Sequence, residues 1–190
     1  MVAGSRPDVA AVERRLIAAL LVGGAVAVSL GVYGRLHDPT HHALFTLFFT
    51  ATLNLKAWFA TVVVALALVQ ILTALRMYGK INVPRVAPPW LGDVHRLSGT
   101  LAFMFSLPVA YHCLWSLGFE SHADQTRRFV HSILGCFFYG AFAAKMVVVR
   151  ARNLPGWVLP TVGGVVFSAL VGIWLTSSLW FFRTVGFPKI

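Results

Sequence analysis

Apolar residues run along the chain in long uncharged windows, separated by short polar connections. Residues 16–34, 57–75, 97–119 and 154–182 contain no Asp, Glu, Lys or Arg, and residues 129–149 contain only Lys145. A helix needs about 20 apolar residues to cross a hydrocarbon layer roughly 30 Å thick, where it satisfies its own backbone hydrogen bonds. The windows predict an all-α integral membrane helical bundle with about five transmembrane helices, over residues 16–34, 57–75, 97–119, 129–149 and 157–182. They form a single membrane domain, residues 1–190. The short alternating segments of a transmembrane β-barrel are absent.

The connections add detail. Residues 43–53 are apolar but too short to span, which suits an interfacial or re-entrant piece after His37, His41 and His42. Those three histidines read as a solvated loop. Pro84, Pro88 and Pro89 make residues 76–96 an extended crossing loop. Trp58, Trp90, Trp115, Trp157 and Trp180 stand near the window ends, where an indole settles at the headgroup level. At the start, Arg14 and Arg15 before an apolar run and Ala25-Val26-Ala27 outline a signal-peptide pattern. The run continues to Tyr33, which favours a retained anchor.

Composition excludes a soluble domain, with 58% hydrophobic and only 12% charged residues. The net charge of +10 is chiefly a topology signal. With the N-terminus inside, ten basic residues (Arg6, Arg14, Arg15, Arg76, Lys80, Arg85, Arg96, Lys145, Arg150 and Arg152) lie inside. Six (Arg35, Lys56, Arg127, Arg128, Arg183 and Lys189) lie outside. The expected location is the inner (plasma) membrane, with a cytoplasmic N-terminus and contact with the lipid bilayer. No basic stripe is interleaved with stacking aromatics, so nucleic acid is not an expected partner.

Candidate chemistry lies in the polar residues left within the spans. All six acidic residues, Asp8, Glu13, Asp38, Asp93, Glu120 and Asp124, fall outside them, which weakens pump, transporter and channel readings. Lys145 reads as an ammonium snorkelling to the inner interface. His112 and His131 each lie some 10–12 Å of helix from the Glu120–Asp124 turn, at one depth in the outer leaflet. Two neutral imidazoles at one level suit axial ligation of a haem iron. Gly135, one turn below His131, would let a flat macrocycle approach, and Phe105, Tyr111, Phe138, Tyr139 and Phe142 permit a pocket wall. Directly packed helices are too close for an iron with an imidazole on each side, so the two must splay or sit diagonally. Interhelical hydrogen bonds, or another metal, are the alternative uses of these histidines. Cys113 and Cys136 read as small buried hydrophobes, because each points away from the histidine on its own helix. No CxxCH is present, so any haem is non-covalent. His95 reads as a loop or lipid-contacting residue, with Met77 or Met146 as remote partners for a second haem.

His131-Ser132-Ile133-Leu134-Gly135 is similar to the His-Ser-x-x-Gly around a haem-ligating histidine of the transmembrane ascorbate-reducible cytochromes b. His95-Arg96-Leu97-Ser98-Gly99 resembles the His-Arg-x-x-Gly helix opening of ferric-reductase-like membrane proteins. More broadly, residues 56–182 resemble an actinobacterial family of small membrane proteins with no established function, which implies a multi-helix fold and no activity. The cytochromes b hold two haems with four histidines, and this chain offers one deep pair. The resemblance therefore implies a ligand role for His131 alone, with His112 inferred from its depth.

The resulting expectation is an electron-transfer subunit with one haem b between His112 and His131, beside Gly135, working with quinol or a redox protein. The alternative is a non-catalytic membrane structural or assembly subunit without cofactor. A small transporter or channel is a third reading, and would need a polar pathway.

Overall fold

The computed structural model describes residues 9–83, 85–151 and 153–187, with Ala123 described in its backbone alone. Arg6, Asp8, Pro84, Arg152 and Lys189, which entered the expectations above, lie outside the described residues. The main helices are α1 (Val9–Leu36), α2 (Thr52–Met77), α3 (Leu91–Tyr111), α4 (Thr126–Arg150) and α5 (Val158–Trp174). α3 continues as a π-helical segment, His112–Leu117; α5 continues as another, Leu175–Leu179, and then as a short helix α6 (Trp180–Thr184). With these extensions, five helices are long and apolar enough to cross a membrane, and no strand occurs among the described residues. The chain is an all-α, multi-pass membrane protein.

With its π-helical extension counted in α3, each of the first four helices is longer than its apolar window. α3 begins at Leu91 and takes Asp93, His95 and Arg96 into its first turns, and α2 begins at Thr52, ahead of Lys56. A charged side chain ends an apolar stretch without ending a helix, because its flexible stem carries the charge towards water. α2 stops where backbone chemistry stops it. Gly79 adopts a left-handed φ of +67°, and the N–H groups of Gly79 and Lys80 donate to the carbonyls of Arg76 and Leu75. That double closure is the Schellman motif, for which glycine is the residue of lowest cost.

Neighbouring helices follow the order α1–α4–α5–α2–α3, and the π-helical end of α3 returns to α1. The backbones of α3 and α4 stand apart, bridged by the Phe103–Phe142 ring stack and the Tyr139–Ser106 hydrogen bond. α1 and α4 meet through small residues: a Cβ added at Gly140 would stand 2.5 Å from the Gly23 carbonyl oxygen and 2.8 Å from Ala27 Cβ. Where lipid tails are as apolar as the side chains, such close backbone contact is what holds helices together. Ala27, at the candidate cleavage site, is thus part of the α1–α4 contact. The core is a cluster of Val63, Ala67, Phe138, Ala169 and Leu170 from α2, α4 and α5.

Residues 37–51 form an irregular cover over the end of α3; they hold most of the 43–53 stretch expected to be interfacial or re-entrant, whose last two residues already belong to α2. The N–H groups of Thr40 and His41 donate to the carbonyls of Trp115 and Ser116, and Phe49 is buried. A π-helical turn leaves carbonyls without their usual partners, and the cover supplies donors to two of them. The end of the bundle carrying this cover and residues 118–125 is called distal below, and the opposite end proximal.

Candidate functional site

The splay between α3 and α4 opens a cavity of about 560 Å³ at the distal end, walled by all five spanning helices. Its wall is mostly apolar, with Leu30, Leu53, Ala60, Leu114, Ile173 and Phe181 among the contributors. Few polar groups converge on it, as in sites that hold small organic cofactors. Both π-helical segments contribute to the wall, through Cys113, Leu114 and Leu117 and through Ser177 and Ser178. Such segments recur at functional sites because they re-aim side chains and free backbone groups. Val63, Phe138 and Leu170 line both this cavity and a proximal one, so they stand between the two.

His131 lines the cavity and is held by α5. Its Nδ1 lies 3.2 Å from Thr176 Oγ1, whose own proton goes to the Gly172 or Ile173 carbonyl at 2.9 and 3.0 Å. Thr176 therefore accepts, and His131 Nδ1–H donates. That fixes the tautomer and leaves a lone pair on Nε2. The nearest polar partner of Nε2 is Cys113 Sγ, at 3.9 Å on α3. The Thr176 carbonyl meanwhile accepts from Arg127 Nη1 at 2.7 Å, and the guanidinium carbon sits 3.8 Å over the Trp180 ring. One residue in the π-helical part of α5 thus positions both the imidazole and a cation of the rim.

Gly135 also lines the cavity, and a Cβ there would meet nothing within 4 Å. Lys56, Arg127 and Arg128 give the lining three cations, with Glu120 and His41 beside them. Glu120 is occupied elsewhere. Its carboxylate accepts the His122 N–H at 3.0 Å and lies 3.1 Å from His122 Nδ1, and these bonds hold it below the usual carboxylate range. Ser178 Oγ is buried in the lining with no hydrogen-bond partner among the described residues.

His112 is fully buried, but it is not among the residues lining the cavity. Its Nδ1 lies 2.8 Å from the Pro108 carbonyl, which can only accept, so Nδ1 carries the proton. Nε2 is buried without a partner, and the ring meets Phe45 of the cover edge-on at 4.7 Å. The structure thus brings His131 and Gly135 to one wall, and it is Cys113, the residue after His112, that reaches His131. Of the five permissive aromatics, Phe138 and Tyr139 line the cavity. Phe142 faces the proximal one, Phe105 packs on Phe59, and Tyr111 stacks on Trp115.

At the proximal end, His95 and Lys145 differ from their expectations. His95 Nδ1 lies 2.8 Å from Thr73 Oγ1 on α2, while Gln70 Nε2 donates to the His95 carbonyl and to Ser98 Oγ. His95 is therefore an interhelical contact. Lys145 turns inwards and lines a cavity of about 100 Å³ with His95 and Gln70. Among the described residues no group of three or more His, Cys, Asp or Glu converges as a metal site.

A model of DUF6529, described as a family of unknown function, matches residues 16–189. The chain belongs to that family. The match extends beyond the stretch that carried the resemblance, into α1 and past the end of α6. Comparison with curated proteins and with solved structures finds no match. In this DUF6529 protein, sequence reasoning missed Cys113, Cys136, Lys56, Arg127 and Thr176 as parts of the site. All five are local on their own helices and meet only across helices. A basic pair at the start of α4 was the one available signal.

Proposed function

We propose that the protein holds one b-type haem in the distal cavity and serves as an electron-transfer subunit, exchanging electrons with quinol or a partner redox protein. One observation carries the reading. His131 has its Nδ1–H committed to Thr176, and it lines a large apolar cavity beside the open side of Gly135, with an unprotonated Nε2 that has only the weakly bonding Cys113 thiol near it, at 3.9 Å. Metal-binding histidines are oriented in this way by a bond from the other ring nitrogen. A bound haem supplies one-electron redox chemistry at its iron. His131 Nε2 would hold its iron, and the apolar wall would keep water from it. Lys56, Arg127 and Arg128 in the lining would offset the charge of the haem's carboxylates. At the end of α3, His112 with its unpartnered Nε2 and Cys113 with its thiol are the two side chains near His131 that could supply a second donor. In this reading the N-terminus is cytoplasmic and the cavity lies in the outer leaflet of the inner (plasma) membrane.

The test is a dithionite-reduced minus oxidised spectrum of the purified protein. A sharp α-band is expected, and a protein that stays colourless after ferric haem is supplied ends the reading. Thr176→Val removes the acceptor that orients His131 with almost no change of shape. Haem retention on a desalting column should fall roughly 10–100-fold, the usual cost of losing the group that orients a ligand.

The His131–Thr176 contact across α4 and α5, and the donation of Tyr139 to Ser106 across α4 and α3, also suit a second reading. That reading is a non-catalytic structural or assembly subunit without cofactor, and it expects a colourless protein that copurifies with other chains.

A further inference from the structure

We propose that Cys113, rather than His112, supplies the second axial donor, as a thiolate facing His131 across the α3–α4 cleft. This rests on the haem reading and names the donor that it leaves open. The α3 residue that reaches His131 is Cys113, with Sγ 3.9 Å from Nε2. A nitrogen and a sulfur on opposite sides of one metal ion, with bonds of about 2.0 and 2.3 Å, stand roughly 4.3 Å apart. The observed gap needs to open by only a few tenths of an ångström. The backbones of α3 and α4 stand apart, and the side-chain bridges between them, the Phe103–Phe142 stack and the Tyr139–Ser106 hydrogen bond, lie about two or more turns along the helices from Cys113 and His131, so a small local opening leaves them in place.

His112 is tied down on the other side. Its Nδ1–H is held by Pro108, its ring is boxed against Phe45, it is wholly buried, and it does not line the cavity. Turning it towards His131 means breaking that bond and lifting the 37–51 cover. Cys113 already lines the cavity, and Lys56 stands beside its thiol, where an ammonium compensates a thiolate. A separate feature marks the same space as a ligand site: the buried, unpartnered Ser178 Oγ in its lining. Forming the iron–sulfur bond costs Cys113 its S–H bond. The proton leaves to water at the distal end, and no electron changes hands.

The experiment uses the full chain in detergent micelles supplied with ferric haem. Electron paramagnetic resonance and absorption spectra are compared for wild type, Cys113→Ser and His112→Gln. The wild type should give a low-spin ferric signal with the narrow g spread of thiolate ligation. Cys113→Ser should lose that signal while keeping a Soret band through His131, and His112→Gln should match the wild type. A second readout uses the native thiol. In a Cys136→Ser background, ferric haem should slow maleimide labelling of Cys113 at least about tenfold, since alkylation requires a free thiolate. The inference is overturned if His112→Gln rather than Cys113→Ser alters the signal, or if haem leaves the labelling rate unchanged. A wild type that binds no haem defeats the haem reading itself, and this inference with it.

Discussion

On the haem reading, replacing His131 with alanine is expected to abolish haem binding while leaving the bundle folded. The imidazole makes two contacts across helices, a hydrogen bond to Thr176 and the approach to Cys113. Interhelical hydrogen bonds in membrane proteins average about 0.6 kcal/mol and reach about 1.7. Their loss is small beside the α1–α4 and α2–α3 packing that sets the fold. The side chain lines an existing cavity, so its removal enlarges that space without opening a hole in the core cluster of Val63, Phe138 and Leu170. The cofactor loses far more. Groups that merely orient a ligand are worth about 10–100-fold in metal affinity, so the ligand itself should cost at least about 100-fold. The measurement is haem content per protein after size exclusion, paired with thermal unfolding followed by circular dichroism. Free imidazole, added at millimolar concentration, fits the vacated space and should restore a low-spin spectrum. An α-band that survives unchanged in His131→Ala would move the iron away from this residue altogether.

The spanning helices were legible because lipid imposes a single demand, about 20 apolar residues in helix, and uncharged windows report it directly. Helix ends were not legible that way. Asp93, His95 and Arg96 sit inside α3, and Lys56 inside α2, because charged stems reach away from a helix without breaking it. Depth along a helix was also readable, and it paired His112 with His131, of which only His131 reaches the cavity. Azimuth was not. An α-helix assigns each residue a direction at 100° intervals, but α3 changes to π-helix at His112, and the rotation between its lower half and Cys113 is no longer the α value. Nothing in the local sequence other than Pro108 signals that change. The inward turn of Lys145 and the His95–Thr73 bond depend on which helices become neighbours, and hydropathy carries no information on neighbours. The need for α3 and α4 to stand apart followed from the size of a haem and the spacing of packed helices, and the bundle does hold them apart.

Gly140→Val should produce a large loss of stability. A Cβ at Gly140 would lie 2.5 Å from the Gly23 carbonyl oxygen, and one at Gly23 would lie 2.7 Å from the Gly140 carbonyl oxygen. Both obstacles are backbone, so no rotamer change relieves them, and α1 must move away from α4. Overpacking of a tight interior typically costs about 1–3 kcal/mol. Rigid backbone on both sides puts this case at about 3 kcal/mol, a large part of the stability of a chain this size. Two glycine variants serve as internal controls. Gly24→Ala, next in sequence to Gly23, adds a methyl group where nothing lies within 4 Å, so its thermal midpoint should match the wild type. Gly135→Ala also meets open space, but that space is the distal cavity. It should leave the midpoint unchanged and alter the haem spectrum. The pattern separates the two roles of small residues on one helix: Gly140 lets α1 in, and Gly135 keeps the cavity open. Equal midpoints for Gly140→Val and wild type would show that α1 is not held against α4 at this crossing.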